Sequence, residues 1–143
     1  MNSDPIRYTK GMKYFIAYRH TGEDPARLHE LLVPVKKAFE DRGHEIYCTY
    51  FNDESFRAQQ LGPHQIMQEA FRKIEDMGSL FVILNSPHKS EGMLMEIGYC
   101  LAKGIPITVA YRRSLTDTYA PHMVPHTIPY DTVEELVGQI KLL

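Results

Sequence analysis

Tryptophan is absent from this 143-residue chain, and cysteine occurs only twice, at Cys48 and Cys100. Two thiols so far apart, without metal-type spacing, argue against a disulfide framework and fit reduced core side chains in a cytoplasmic protein. No apolar run approaches the roughly 20 residues that a membrane span needs. The polar start, Met1 to Gly11, lacks the hydrophobic segment of a signal peptide. Neither sign of charge dominates: 16 Lys and Arg stand against 18 Asp and Glu, a net charge of -2. That balance leaves no electrostatic case for a nucleic-acid polymer or an anionic membrane as partner. Repeats and low-complexity tracts are missing, as are a GxGxxG and a Walker sequence. The seven histidines show no HExxH-type pattern, so neither metal nor cofactor is expected. What the chain does have is 43% hydrophobic residues, enough for the core of one compact domain over residues 1–143.

Apolar patterning alternates between two periods. Lys13 to Ala17 reads as a first strand, and a polar loop from Tyr18 to Glu23 follows. Asp24 with Pro25 makes a helix start. Leu28, Leu31, Leu32, Val35 and Phe39 recur at helical spacing up to Gly43, and Pro34 inside that pattern predicts a kink or a break. His44 to Tyr50 is a second strand and Phe51 to Leu61 an irregular stretch. Gly62-Pro63 opens a helix that carries Ile66, Met67, Ala70, Phe71 and Ile74 and ends near Gly78. Ser79 to Leu84 is almost wholly apolar, as a strand buried on both faces should be. Ser90 caps a third helix with the stripe Met93, Ile97, Cys100 and Leu101, and Gly104 stops it. Ile107 to Tyr111 and the proline-flanked His126 to Pro129 complete five strands. Asp131 begins a last helix through Ile140. Strands alternating with helices imply right-handed crossovers and a mainly parallel sheet covered on both faces. The fold class is therefore α/β, a flavodoxin-like doubly wound sheet of about five strands. In the order 2-1-3-4-5 the loops after strands one and three, Tyr18 to Glu23 and Asn85 to Gly92, face one crevice.

Glu96 is the residue that needs a reason. It stands a turn and a half into a helix that should turn its apolar side to the sheet, and a charge there is costly to bury. Gly92, four residues before it on the same face, leaves a notch beside the carboxylate for a sugar ring. The helix N-terminus should help keep Glu96 ionised, the form a nucleophile requires. The first loop, Arg19-His20-Thr21-Gly22, offers a cation, a hydroxyl and a flexible backbone ahead of a helix N-terminus, an arrangement suited to a phosphate. A Ser90–His88 nucleophile pair has poor geometry and no orienting acid.

The run Ser90-Glu91-Gly92-Met93-Leu94-Met95-Glu96-Ile97-Gly98-Tyr99, continuing to Gly104-Ile105-Pro106-Ile107, resembles the signature of the nucleoside 2-deoxyribosyltransferase family. The likeness extends to the related deoxynucleoside 5′-monophosphate N-glycosidases, which carry a serine at the place of Ser90. Tyr14-Phe15-Ile16-Ala17 is similar to the tyrosine-containing first strand of that superfamily. The resemblance implies cleavage of an N-glycosidic bond, by hydrolysis or transfer, with Glu96 as nucleophile and Tyr14 as its orienter. It further implies that Arg19, His20 and Ser90 hold the sugar's 5′ end or its phosphate, while Gly92 beside Glu96, and Gly22 and Asn85 by their places in the two facing loops, complete the expected substrate pocket. The implied partners are a nucleoside or nucleotide substrate and a second copy of the chain, in a homodimer or higher homo-oligomer whose Met123 loop closes a neighbour's site. Two positions depart from the family pattern: Ala70 stands where an aspartate acts on the departing base, and Pro121 where a neighbour supplies a polar residue. A second likeness, to TIR domains that cleave NAD, rests on Phe15 to Arg19 and on the spacing from Ser90 to Glu96. A nucleotide sensor, in which Glu96 only binds a ribose, is the reading from the binding class.

Overall fold

A computed structural model describes residues 11–52 and 60–143. The expectations for Met1 to Lys10 and for most of the irregular stretch 51–61 fall outside those residues. Five strands form one sheet in the order β2-β1-β3-β4-β5: β1 Lys13–Tyr18, β2 Glu45–Tyr47, β3 Leu80–Leu84, β4 Ile107–Arg112 and β5 His126–Tyr130. Every neighbouring pair is parallel. This is the flavodoxin-like plan expected from the alternation of periods.

Side chains of successive strand residues point to opposite faces, so one sheet serves two cores. On one face Tyr14, Ile16, Phe81, Ile83 and Tyr130 pack against α1 (Pro25–Asp41) and α5 (Val133–Ile140). On the other, Phe15, Ala17, Leu80, Val82 and Val109 pack against α3 (Pro63–Met77) and α4 (Glu91–Lys103). Cys48 and Cys100 are both buried and unbridged, one in each core.

The chain differs from its sequence expectation at three places. Helix α1 runs through Pro34 without the break that was one of the two outcomes expected there, because Leu28, Leu31, Leu32, Val35, Ala38 and Phe39 anchor both sides of it in the core. Packing of that face outweighs the one backbone hydrogen bond proline removes. The second strand is three residues long, not seven. Its expected end turns instead into the short helix α2 (Thr49–Asn52), where the Asn52 side chain accepts from Cys48 N at 3.2 Å. Local bonding by asparagine competes with a ladder in this way. Finally, Thr132 rather than Asp131 caps α5, its hydroxyl accepting from Glu135 N at 3.1 Å.

Candidate active site

Helix α4 starts where the sequence places it. Ser90 is the N-cap, its Oγ accepting from Met93 N at 3.3 Å, and Gly104 ends the helix in the left-handed region at φ 72°. Met93, Ile97 and Cys100 form the buried stripe. Glu96 sits about 100° around the helix from Ile97, on the shoulder that faces α3. That seam is defined by Phe71 of α3 stacked on Tyr99 of α4, ring centroids 4.3 Å apart, and by Met67 of α3 beside Gly92.

The Glu96 carboxyl is partly buried, and among the described residues it has neither a hydrogen bond nor an ion pair. Burial pushes its pKa up to about 8. This reverses the expectation that the helix N-terminus holds it ionised: the dipole's influence fades within the first turn, and Glu96 lies beyond it. Four residues on, the Cys100 thiol is pushed up to about 12, first by burial and then by the charges of Glu96 and Glu75. A carboxyl near 8 that no partner among the described residues quenches is the kind of group found at functional sites.

Other residues singled out in the sequence are distributed less simply. Tyr14 does not meet Glu96. It lies at the N-terminal end of β1 on the opposite face of the sheet, its ring 5.0 Å from Phe39 and 5.5 Å from His44, in the core under α1. The parity of the strand decides this, since residue 14 shares its face with Ile16 and not with Phe15. Arg19 is turned back on its own loop, ion-paired with Glu23, with its guanidinium beside Gly22. Gly22 is in the left-handed region at φ 78°. His20 is exposed, edge-on to the Tyr18 ring. Asn85 is tied into the sheet: its Oδ1 accepts from Arg112 Nε at 2.8 Å and from Tyr130 Oη at 2.6 Å. Ala70 is buried in the core under α3.

A cavity of about 420 Å³ opens beyond the carboxyl ends of β3 and β4, one strand over from the crevice expected between the first and third loops. Its walls include Leu84, Met93, Leu94 and Ile97 on one side and Leu115 and Tyr119 on the other. Ser90 and Met123 both line it, within one chain, although Met123 was expected to close a neighbour's site. None of the first-loop residues does, and neither does Glu96. Helix α4 thus presents two flanks, Glu96 with Gly92 toward α3 and the cavity on the other side, with Met93 between them. The sequence reading missed Met67 as a neighbour of Gly92. Its helical spacing marked it only as core.

No family model matches this chain, and no curated protein does. Solved structures do. The CMP N-glycosidase BcmB of Clostridium botulinum superposes with a TM-score of 0.68 at 19% identity, over 91% of this chain and 98% of that one. A 2-deoxyribosyltransferase of Bacillus psychrosaccharolyticus gives 0.64 at 13% identity, over 87% and 90%. The SEFIR domain of IL-17 receptor B gives 0.55 at 11%, over 92% and 95%. What they share is the fold. It serves two enzymes of nucleosides and nucleotides and also a receptor domain, so activity has to be argued from the site.

Proposed function

We propose that this protein cleaves or transfers the N-glycosidic bond of a nucleoside or nucleoside 5′-monophosphate, with Glu96 as the nucleophile. The observation that carries the proposal is a partly buried carboxyl, unpaired among the described residues, one helical turn from a glycine and just beyond the end of β3. The names of two neighbours of the same fold, an N-glycosidase and a deoxyribosyltransferase, support the reading. One ionised Glu96 oxygen attacks the anomeric carbon while the bond to the base nitrogen breaks, its electron pair leaving with the base. The glycosyl ester is then opened by water or by a second base, with net retention at the sugar. A desolvated carboxylate is a stronger nucleophile than a hydrated one, and a developing positive charge on the sugar favours its ionised form.

The 5′ end of the substrate is assigned to the N-terminal turn of α4 at Ser90; Arg19, held by Glu23, joins it only once that ion pair opens, and His20 stands exposed on the same loop. Tyr119 and Met123, 87% and 56% exposed, form an apolar patch that suits a second copy of the chain. A second reading has its own observation. Ala70 supplies no acid to protonate a departing base, and a pyridinium base such as the nicotinamide of NAD leaves without needing one.

Incubation with nucleosides, 5′-monophosphates and NAD, with and without an acceptor base, followed by chromatography, tests both. Release of a free base by wild type and none by Glu96→Gln is the expected result. Turnover by Glu96→Gln near the wild-type rate would remove Glu96 from the mechanism. Nucleotide binding by calorimetry with no product would favour a sensor.

A further inference from the structure

We propose that Met67 is the gate of the Glu96 site: its thioether closes the space over Gly92 and swings aside to admit a substrate. The inference rests on Glu96 being the reacting group. Glycine at position 92 removes a side chain from the flank of α4 that carries Glu96, yet the resulting notch is not open. A Cβ built on Gly92 would lie 3.7 Å from Met67 Sδ, ordinary van der Waals contact. The gap therefore holds about one methyl group, and a sugar ring does not fit while the sulfur stays there.

The seam between α3 and α4 is built unevenly. Its far half is fastened: Phe71 stacks on Tyr99, the Tyr99 hydroxyl donates to Glu75, Lys103 lies 3.9 Å from Glu75, and its ammonium sits over the Tyr99 ring. The half nearest the ends of the strands has the Met67–Gly92 contact. A methionine has three rotatable bonds and a soft sulfur, so it leaves such a contact at low cost without moving either helix. The other flank offers no alternative path, because Met93, 5% exposed, stands between the cavity and Glu96. A thioether over the notch also keeps water from the carboxyl, in keeping with the direction in which burial moves its titration.

The test is the rate at which Glu96 is amidated by a water-soluble carbodiimide with a small amine, followed by peptide mass spectrometry on the full chain. Labelling of the exposed Glu134 serves as internal reference. An open state of a gate is populated at most about 10% of the time, so Met67→Ala should label Glu96 at least about tenfold faster than wild type. Gly92→Ala, which narrows the notch, should label more slowly. Met67→Leu keeps the volume and loses the flexible thioether. It should also slow labelling, and it decides the matter if the alanine variant does not fold. Equal Glu96 labelling in wild type, Met67→Ala and Met67→Leu would overturn the gate. In kinetics, Met67→Ala should shift the pH midpoint for turnover below that of wild type, which a merely structural contact would not do. Faster labelling in Met67→Ala with no turnover of any nucleotide by any variant would uphold the gate and reject the proposed activity. Turnover that needs Glu96, with labelling indifferent to Met67, would do the reverse.

Discussion

Replacing Glu96 by glutamine should abolish activity and at the same time stabilise the protein, by an amount that depends on pH. The sign follows from the raised titration. A free glutamic acid ionises near 4.5, whereas Glu96 in the folded chain does so at about 8. Below the lower value both states are neutral and the residue costs nothing. Between the two the unfolded chain releases its proton while the native chain retains it, so the native state loses stability as pH rises. Above about 8 the loss is complete and constant. At about 1.4 kcal/mol per pH unit, the penalty relative to a permanently neutral side chain grows from about 1 kcal/mol at pH 5 to about 4 kcal/mol at pH 8. Halving the difference for the side chain's residual exposure leaves about 2 kcal/mol. Glutamine has nearly the same shape and never ionises, so Glu96→Gln recovers this loss. With a urea slope of about 2 kcal/mol/M, the variant's midpoint should exceed wild type by about 1 M more at pH 8 than at pH 5. Urea titrations at the two pH values, followed by circular dichroism, read it directly. An offset between variant and wild type that is the same at both pH values would refute the reasoning, since Glu96 would then titrate like a hydrated carboxyl.

Four further outcomes follow from the same geometry. If ionised Glu96 is the nucleophile, kcat/KM should climb about tenfold per pH unit below about 8 and level off above it, a profile measured by base release across pH 5.5–9.5. Gly92→Ala should leave melting unchanged or raise it by the equivalent of up to about 1 kcal/mol, as alanine replaces glycine within a helix, while turnover falls; calorimetry beside an activity assay separates the two effects. Because Glu23 holds the Arg19 guanidinium, Glu23→Gln should free it for an anion and lower KM for a 5′-monophosphate severalfold without altering that for the free nucleoside. Tyr130→Phe removes one of two donors to the Asn85 carbonyl and should cost about 1 kcal/mol in denaturant melts.

The sheet could be read from the chain because each strand and helix announces itself locally. Alternating and 3.6-residue periods, Gly78 and Gly104 at helix ends, and Ser90 before the apolar run of α4 all agree with the packing that follows. Where the reading slipped, a longer-range effect prevailed over a local one. Pro34 is carried by six buried neighbours on the same helix, and β2 gives way early to a turn bonded by the Asn52 side chain. Position 14 was placed at the site by likeness of sequence, but strand parity turns its ring to the other core. Asn85 was placed there by loop position. Its two bonds come from residues 27 and 45 positions further on, a separation no local pattern reveals.

Glu96 itself shows how far the sequence reaches into chemistry. Its position on the helix and the missing side chain at Gly92 are local facts, visible without coordinates. Its protonation state is not local. The N-terminal end of α4 argues for an anion, the α3–α4 seam argues for a neutral acid, and the choice depends on which effect survives at that depth. The dipole weakens over one turn, whereas desolvation acts wherever apolar groups replace water. Met67, supplied by a different helix, is one of the groups at that seam. A glycine one turn from a carboxyl is thus a local signal, whereas the burial that holds the carboxyl neutral is set by the packing around it and is visible only in the fold.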